Sequence, residues 1–571
     1  MRSDAESVSG ALAEAGHEVA ERTRTAWGHR APDMVLRGAR LLLASGELAT
    51  RDVGVVGRRI AVVAEDIVAP GEASIDLRGK TIVPGYIEPH CHTFGPLSIG
   101  SYCSQALIHG TAGIVSDDSF LYGFLEPEQY PAVLDYSERA PLVLRWSLRL
   151  EGPRTVPLSA ISRLIERGDV TQVGELMTRP VLDQLAPELA ELIARARSLG
   201  LRVEGHSPGA SARTLTVAAA AGVTADHESQ RGEELIERLR CGLWAFIRYT
   251  DLLRDAPVIL AELLAREVSL ERTAFTSDWS LPPWIARQGI VDAAIASALK
   301  VGVAPEQAYA TASRRPADYL SLGAHLGAIA PARLASFNVL ADVAEPTPER
   351  VFSMGREVAR DGDLLVKVPD VDWRGLGAPR WSNRRAGPDE SIFHPAPDDP
   401  QISLESSSMI RPGRGDHQGE PLTCLALDPD GETFTRAALF GLPPGLEGIA
   451  STLTPRRLLV ALGSDPTAIA RCVDAVIGPG GGIAFRHQGA TELLELPVGG
   501  VITSAPFAEV LAFWDRARRL FAELGQDLAD PLSTLLYIGS DSLPGARFNA
   551  RGLFDTRAGR LIAAPRPAPW S

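Results

Sequence analysis

Eight short apolar runs follow one another between residues 81 and 278, and most are separated by a stretch with helical character. They are "TIVPGYIEPHCH", "AGIVSDD", "PLVLRWSL", "TQVGEL", "LRVEGHS", "GVTADHES", "LWAFIRY" and "RTAFTSD". The intervening "APELAELIARARSLG" and "GEELIERLRCG" carry the apolar spacing of amphipathic helices. Strand–helix alternation of this kind builds parallel sheets, because each return crosses over through a helix. Eight repeats suit a closed (β/α)8 barrel over residues 84–326. A doubly wound open sheet is the alternative, and the lack of a GxGxxG after the first run weighs against it.

The barrel block is flanked by β-rich sequence. Residues 33–83 contain "DMVLRGARLLLASGE", "DVGVVGRRIAVVAED" and "ASIDLRGKTIVPG", with alternation punctuated by Gly and Asp. A similar texture returns at 327–366, so the two segments are expected to form one small split β-sandwich domain. Residues 1–32 read as an N-terminal helical extension. Residues 367–410, rich in Pro, Asp, Arg and Ser, read as a linker. Residues 411–571 read as a C-terminal α/β domain. The Gly-rich stretch at 477–487, "IGPGGGIAFRH", lacks GxxxxGK[ST] and is expected to be a turn.

Composition excludes several functions. The net charge of −14 argues against nucleic acid as a partner, since phosphate backbones need clustered Lys and Arg. No apolar run is long enough for a membrane span. Five scattered cysteines without a CxxC suit a reducing compartment, so a cytoplasmic location is expected.

Chemistry in such a barrel collects at the C-terminal ends of its strands. There the sequence places His90 and His92, Asp117 and Asp118, Glu175, His206, His227 and Asp278. In a strand, alternate side chains share a face, so His90 and His92 point together and Cys91 points away. Imidazoles and carboxylates are the ligands of a hydrolytic divalent metal, which activates water at neutral pH. Asp278 is positioned to move the water proton. His109 and His325 are expected to be structural, His487 to lie at the surface, and Arg314 and Arg315 to form a solvated helix end.

In "PGYIEPHCH", "HGTAGIVSDD", "VGELM" and the segments that follow them, the chain resembles the adenine deaminase family of the amidohydrolase superfamily. The resemblance is carried by "PGYIEPHCH", "HGTAGIVSDD", "VGELM", "EGHSPG", "AAGVTADHES", "LRCGLWAFIR" and "ATASRRPADYLSLGAHLGAIAP". It continues in "GLEGIASTL", "GGGIAF", "ELPVGGVIT", "DPLSTLLYI" and "RGLFDT". It implies two divalent metal ions, with iron or manganese favoured and zinc as a third option. His90, His92 and Asp278 would hold one ion, His206 and His227 the other, and Glu175 would bridge. Many relatives bridge with a carboxylated lysine, but no lysine lies between Lys80 and Lys300. The implied catalytic residues are Asp278 and Glu175. The implied partner is a small heterocyclic substrate, and the implied assembly a homodimer.

Four family motifs are altered. Glu-Ser-Ser after the paired histidines is "TFGP" (93–96), and Asp-Pro-His-Glu is "SDDSF" (116–120). Asp-Asp-Arg-x-Pro is "SDWSLPP" (277–283), and His-Asp-x-His-Asn is "TPRRLLV" (454–460). Phe94, Asp117, Asp118, Arg248 and Trp279 are therefore the expected substrate-binding residues. The activity expected is hydrolytic deamination of adenine or a related amino-heterocycle. Opening of a cyclic amide and a non-catalytic scaffold are the alternatives.

Overall fold

The computed structural model describes residues 2–68, 73–117, 120–150, 158–177, 182, 185–250, 253–382, 384, 387–406, 409–429, 431–526, 530–540 and 543–569. Its centre is an eight-stranded sheet in which every neighbouring pair is parallel. In chain order the strands are Tyr86–Cys91, Thr111–Asp117, Val143–Leu148, Val170–Met177, Arg202–His206, Ala225–Asp226, Trp244–Arg248 and Thr273–Thr276. The first and last strands meet through a parallel bridge between Cys91 and Asp278, where the His92 amide donates to the Asp278 carbonyl at 2.8 Å. The sheet thus closes into a barrel of the expected kind. Its strands are almost wholly buried, as parallel strands covered by helices must be.

The flanking β segments join in one nine-stranded sheet. The seam is the antiparallel pairing of Thr81–Pro84 with Phe337–Leu340, which brings the entry and exit of the barrel side by side. Val53, Ile60, Ile82, Phe337 and Phe352 form its apolar face. The N-terminal helix Arg2–Ala26 precedes this sheet.

A third, mainly antiparallel sheet of nine strands lies in the C-terminal part, with the helix Pro466–Ile477 packed on it. Its strand Gln401–Leu404 comes from the stretch read as a linker. Ile402 and Leu404 are buried there, and Trp381 from the same stretch is 2% exposed. Pro and Asp density signalled a loop, while a few apolar residues among them anchor the segment. The turn reading of the Gly-rich stretch matches two residues at positive φ, Gly480 and Gly481, ahead of the strand Gly482–His487. Arg315 departs from expectation: it is 1% exposed and pairs with Glu271 at 2.9 Å.

Candidate metal centre

At the C-terminal mouth of the barrel, Glu175 stands among all four strand-end histidines. Its carboxylate oxygens lie 3.1 Å from His90 Nε2, 3.3 Å from His92 Nε2, 3.3 Å from His206 Nδ1 and 3.8 Å from His227 Nε2. Asp278 faces the same pair of imidazoles from the last strand, 3.5 Å from His90 and 3.3 Å from His92. Asp278 has φ +55, a left-handed conformation that Asp tolerates better than most residues. Three overlapping groups have ligand atoms within 4.8 Å of one another: His90, Glu175, His227 and Asp278; His206, His227 and Glu228; His92, Asp117 and Glu175.

Electrostatics keep the carboxylates ionised. Burial pushes the Glu175 carboxyl up, but Arg149, His206 and the paired histidines hold it well below the usual range. Asp278 is held low against burial by His90 and His92. Burial pulls His90 down, and Glu204, Asp278 and Glu175 more than reverse this. Burial and His90 also oppose protonation of His227, yet Glu204 and Glu228 raise it to about 10. The chemistry of this donor set fits divalent cations. The Nε2 atom of His90, which faces Glu175 and Asp278, is buried without a hydrogen-bond partner, as expected of a nitrogen kept for a ligand.

Several site residues escaped the sequence reading. Glu204 takes His227 Nδ1–H at 2.9 Å and lies 2.9 Å from His90 Nδ1. Glu88 accepts from Thr276 Oγ1 at 2.7 Å and from the Ser277 amide at 2.8 Å, and burial pushes it up to about 7. Glu228 lies 3.3 Å from His206 and 3.4 Å from His227. Arg149 reaches Glu175 at 2.8 Å and Asp117 at 3.4 Å. Period two offered a signal for Glu88 and Glu204, each two residues before a strand-end histidine.

The expected substrate residues sit differently from one another. Asp117 is buried, 3.2 Å from His92 Nδ1. Trp279 is half-buried and donates its indole N–H to the Gly95 carbonyl at 2.9 Å. Phe94 is 1% exposed and stacks on Trp146, with Trp373 against its edge, so it packs in the core. Arg248 is also buried, spanning Glu228 at 2.6 Å, Asp255 at 3.2 Å and Asp278 at 3.6 Å. It stands behind the carboxylates. Asp118 lies outside the described residues. Cys91 is buried with its thiol against the Val115 carbonyl, away from the centre.

Residues 417–560 match the family model of the adenine deaminase C-terminal domain. An adenine deaminase from Dehalococcoides mccartyi is 27% identical, covering 94% of this chain and 98% of its own length. One from Cenarchaeum symbiosum is 26% identical, covering 95% of each. Over most of its length the chain is similar to adenine deaminases. The similarity runs through the barrel and the C-terminal part together. Among solved structures, the β-aspartyl dipeptidase from Fervidobacterium islandicum AW-1 has a TM-score of 0.47 and 17% identity, over 58% of this chain and 98% of that one.

Proposed function

We propose that this chain is a metal-dependent hydrolase that removes the amino group of adenine, giving hypoxanthine and ammonia. The observation that carries the reading is the convergence of four imidazoles with Glu175 and Asp278 at the barrel mouth, in a chain aligned end to end with adenine deaminases. His90, His92 and Asp278 would hold one divalent ion, His206 and His227 a second, with Glu175 between them. Iron or manganese is favoured by the family resemblance. Ions bound there supply Lewis acidity and a nucleophile from water at neutral pH.

The chain's own groups then divide the work. Asp278, ionised and 13% exposed at the side chain, accepts the proton of the attacking water and returns it to the departing amine. Arg248 keeps that carboxylate aimed from behind. Trp279, fixed by its bond to Gly95, offers an apolar wall to a flat ring. Asp117 orients His92 through Nδ1.

Among the described residues no helix is long and apolar enough to cross a membrane. The described cysteines are all free, which supports a reducing, cytoplasmic setting. A homodimer is the assembly suggested by the family resemblance.

The test is ammonia release from adenine by protein loaded with Mn²⁺ or Fe²⁺. Release should fall by at least about a hundredfold in Asp278→Asn, within the range of general acid–base catalysis. Metal-replete protein that leaves adenine intact while opening cyclic amides would replace this reading with the ring-opening alternative.

A further inference from the structure

A cavity of about 320 Å³ lies where the barrel rim meets the C-terminal part. It is lined by Arg254, Arg287 and Arg518, together with Trp284 and Asp530. Arg254 follows the seventh barrel strand, and Arg287 sits on the helix Pro282–Gln288 beyond the eighth. Arg518 comes from the long helix Phe507–Glu523, which packs on that helix. Three elements distant in sequence therefore bring guanidinium groups to one concavity.

These arginines are unlike most in the protein. Elsewhere Arg149, Arg248, Arg350 and Arg436 are spent on carboxylates. Among the described residues, no hydrogen bond or ion pair engages Arg254, Arg287 or Arg518. Arg254 rests over the Trp284 ring, 5.7 Å from its centroid, which fixes it at the cavity wall. Trp284 is 6% exposed, and its indole N–H is buried with no acceptor.

The single carboxylate in the lining does not neutralise the arginines. Asp530 accepts the Trp514 indole N–H at 3.0 Å and the Ser533 amide at 2.9 Å. Burial also pushes its carboxyl above the usual range. The lining is thus two charges positive in excess.

We infer that this cavity binds a phosphate group through Arg254, Arg287 and Arg518. Guanidinium forks match the paired oxygens of a phosphate, and several together favour a dianion over chloride. The phosphate arrives either as the free ion or as part of a nucleoside monophosphate, which the volume also admits.

The experiment is a calorimetric titration of the full-length, metal-loaded chain at constant ionic strength. Inorganic phosphate and adenosine 5′-monophosphate are the two probes. One saturable site per chain is expected, weakened by at least about tenfold in Arg287→Glu and in Arg518→Glu. Circular dichroism melting confirms that each variant folds, and Arg518→Gln replaces the reversal if it does not. Binding of both probes assigns the phosphate alone as the ligand. Binding of the nucleotide only assigns the nucleotide. Affinity weaker than about 1 mM for both probes overturns the inference. So does binding that survives both arginine variants but disappears in Asp278→Asn, since it would then belong to the metal centre.

Discussion

Glu204 shows how a single buried carboxylate sets the geometry of the centre. It is fully buried, and its two oxygens address the Nδ1 atoms of His90 and His227, while Gln172 donates to it from the neighbouring strand. His227, with its Nδ1 engaged, presents Nε2 to the middle, and the His90 and His227 rings stack 4.4 Å apart at 14°. Partners of this sort fix tautomer and ring orientation, and losing one weakens metal binding by about 10–100-fold. Glu204→Gln should therefore lower metal affinity by that factor, read by competition with a fluorescent chelator, with the fold intact by circular dichroism. Unchanged affinity would remove Glu204 from the support of the site.

Individual elements carry their own constraints. In the strand Val170–Met177, Gly174 has φ +134, and an added Cβ would sit 2.4 Å from the Glu204 carbonyl oxygen. Only glycine lets that strand approach its neighbour while turning Glu175 inward. Gly174→Ala should cost about 1–3 kcal/mol and displace Glu175, seen as a lower melting temperature and substoichiometric metal. In the nine-stranded sheet, Glu357 joins Arg350 and Arg360, at 2.7 and 2.6 Å. Burial raises its carboxyl, but the two arginines bring it down to about 2. A depressed carboxyl stabilises the fold above its unfolded pKa of about 4.3, and this is lost as pH falls toward 2. The stability gap between wild type and Glu357→Gln in urea should be full at neutral pH and shrink through that window. A gap that widens on acidification would contradict the pairing.

At the scale of the molecule, the C-terminal part buttresses the barrel mouth. The Thr503 amide donates to the Pro96 carbonyl at 2.8 Å, and Leu453 packs over Gly95, whose carbonyl holds the Trp279 indole. Leu453 is 4% exposed. Leu453→Ala should destabilise the chain by about 2–5 kcal/mol and release the loop at 93–96. Adenine turnover should fall several-fold with metal content unchanged, which steady-state kinetics and metal analysis together will separate. Equal kcat in the two proteins would mean the loop is held by the barrel alone.

The barrel was legible in the sequence because its information is local. Strand–helix alternation is written residue by residue, and parallel strands closed by crossovers leave few other topologies. The strand-end histidines followed from the same rule, since period two fixes which side chains share a face. Their number and types were enough to suggest a metal. What only the tertiary structure decided is long-range. Glu204, Glu228 and Arg149 are ordinary charged letters until different elements bring the two carboxylates within 3.5 Å of the histidines and the arginine within 3.5 Å of Glu175. Phe94 and Arg248 looked available for a substrate, and packing buried both. The stretch at 401–404 looked like a linker until a partner strand was there to pair with it. Sequence periodicity determines which way a side chain points from its own element. Only the meeting of elements determines what it points at.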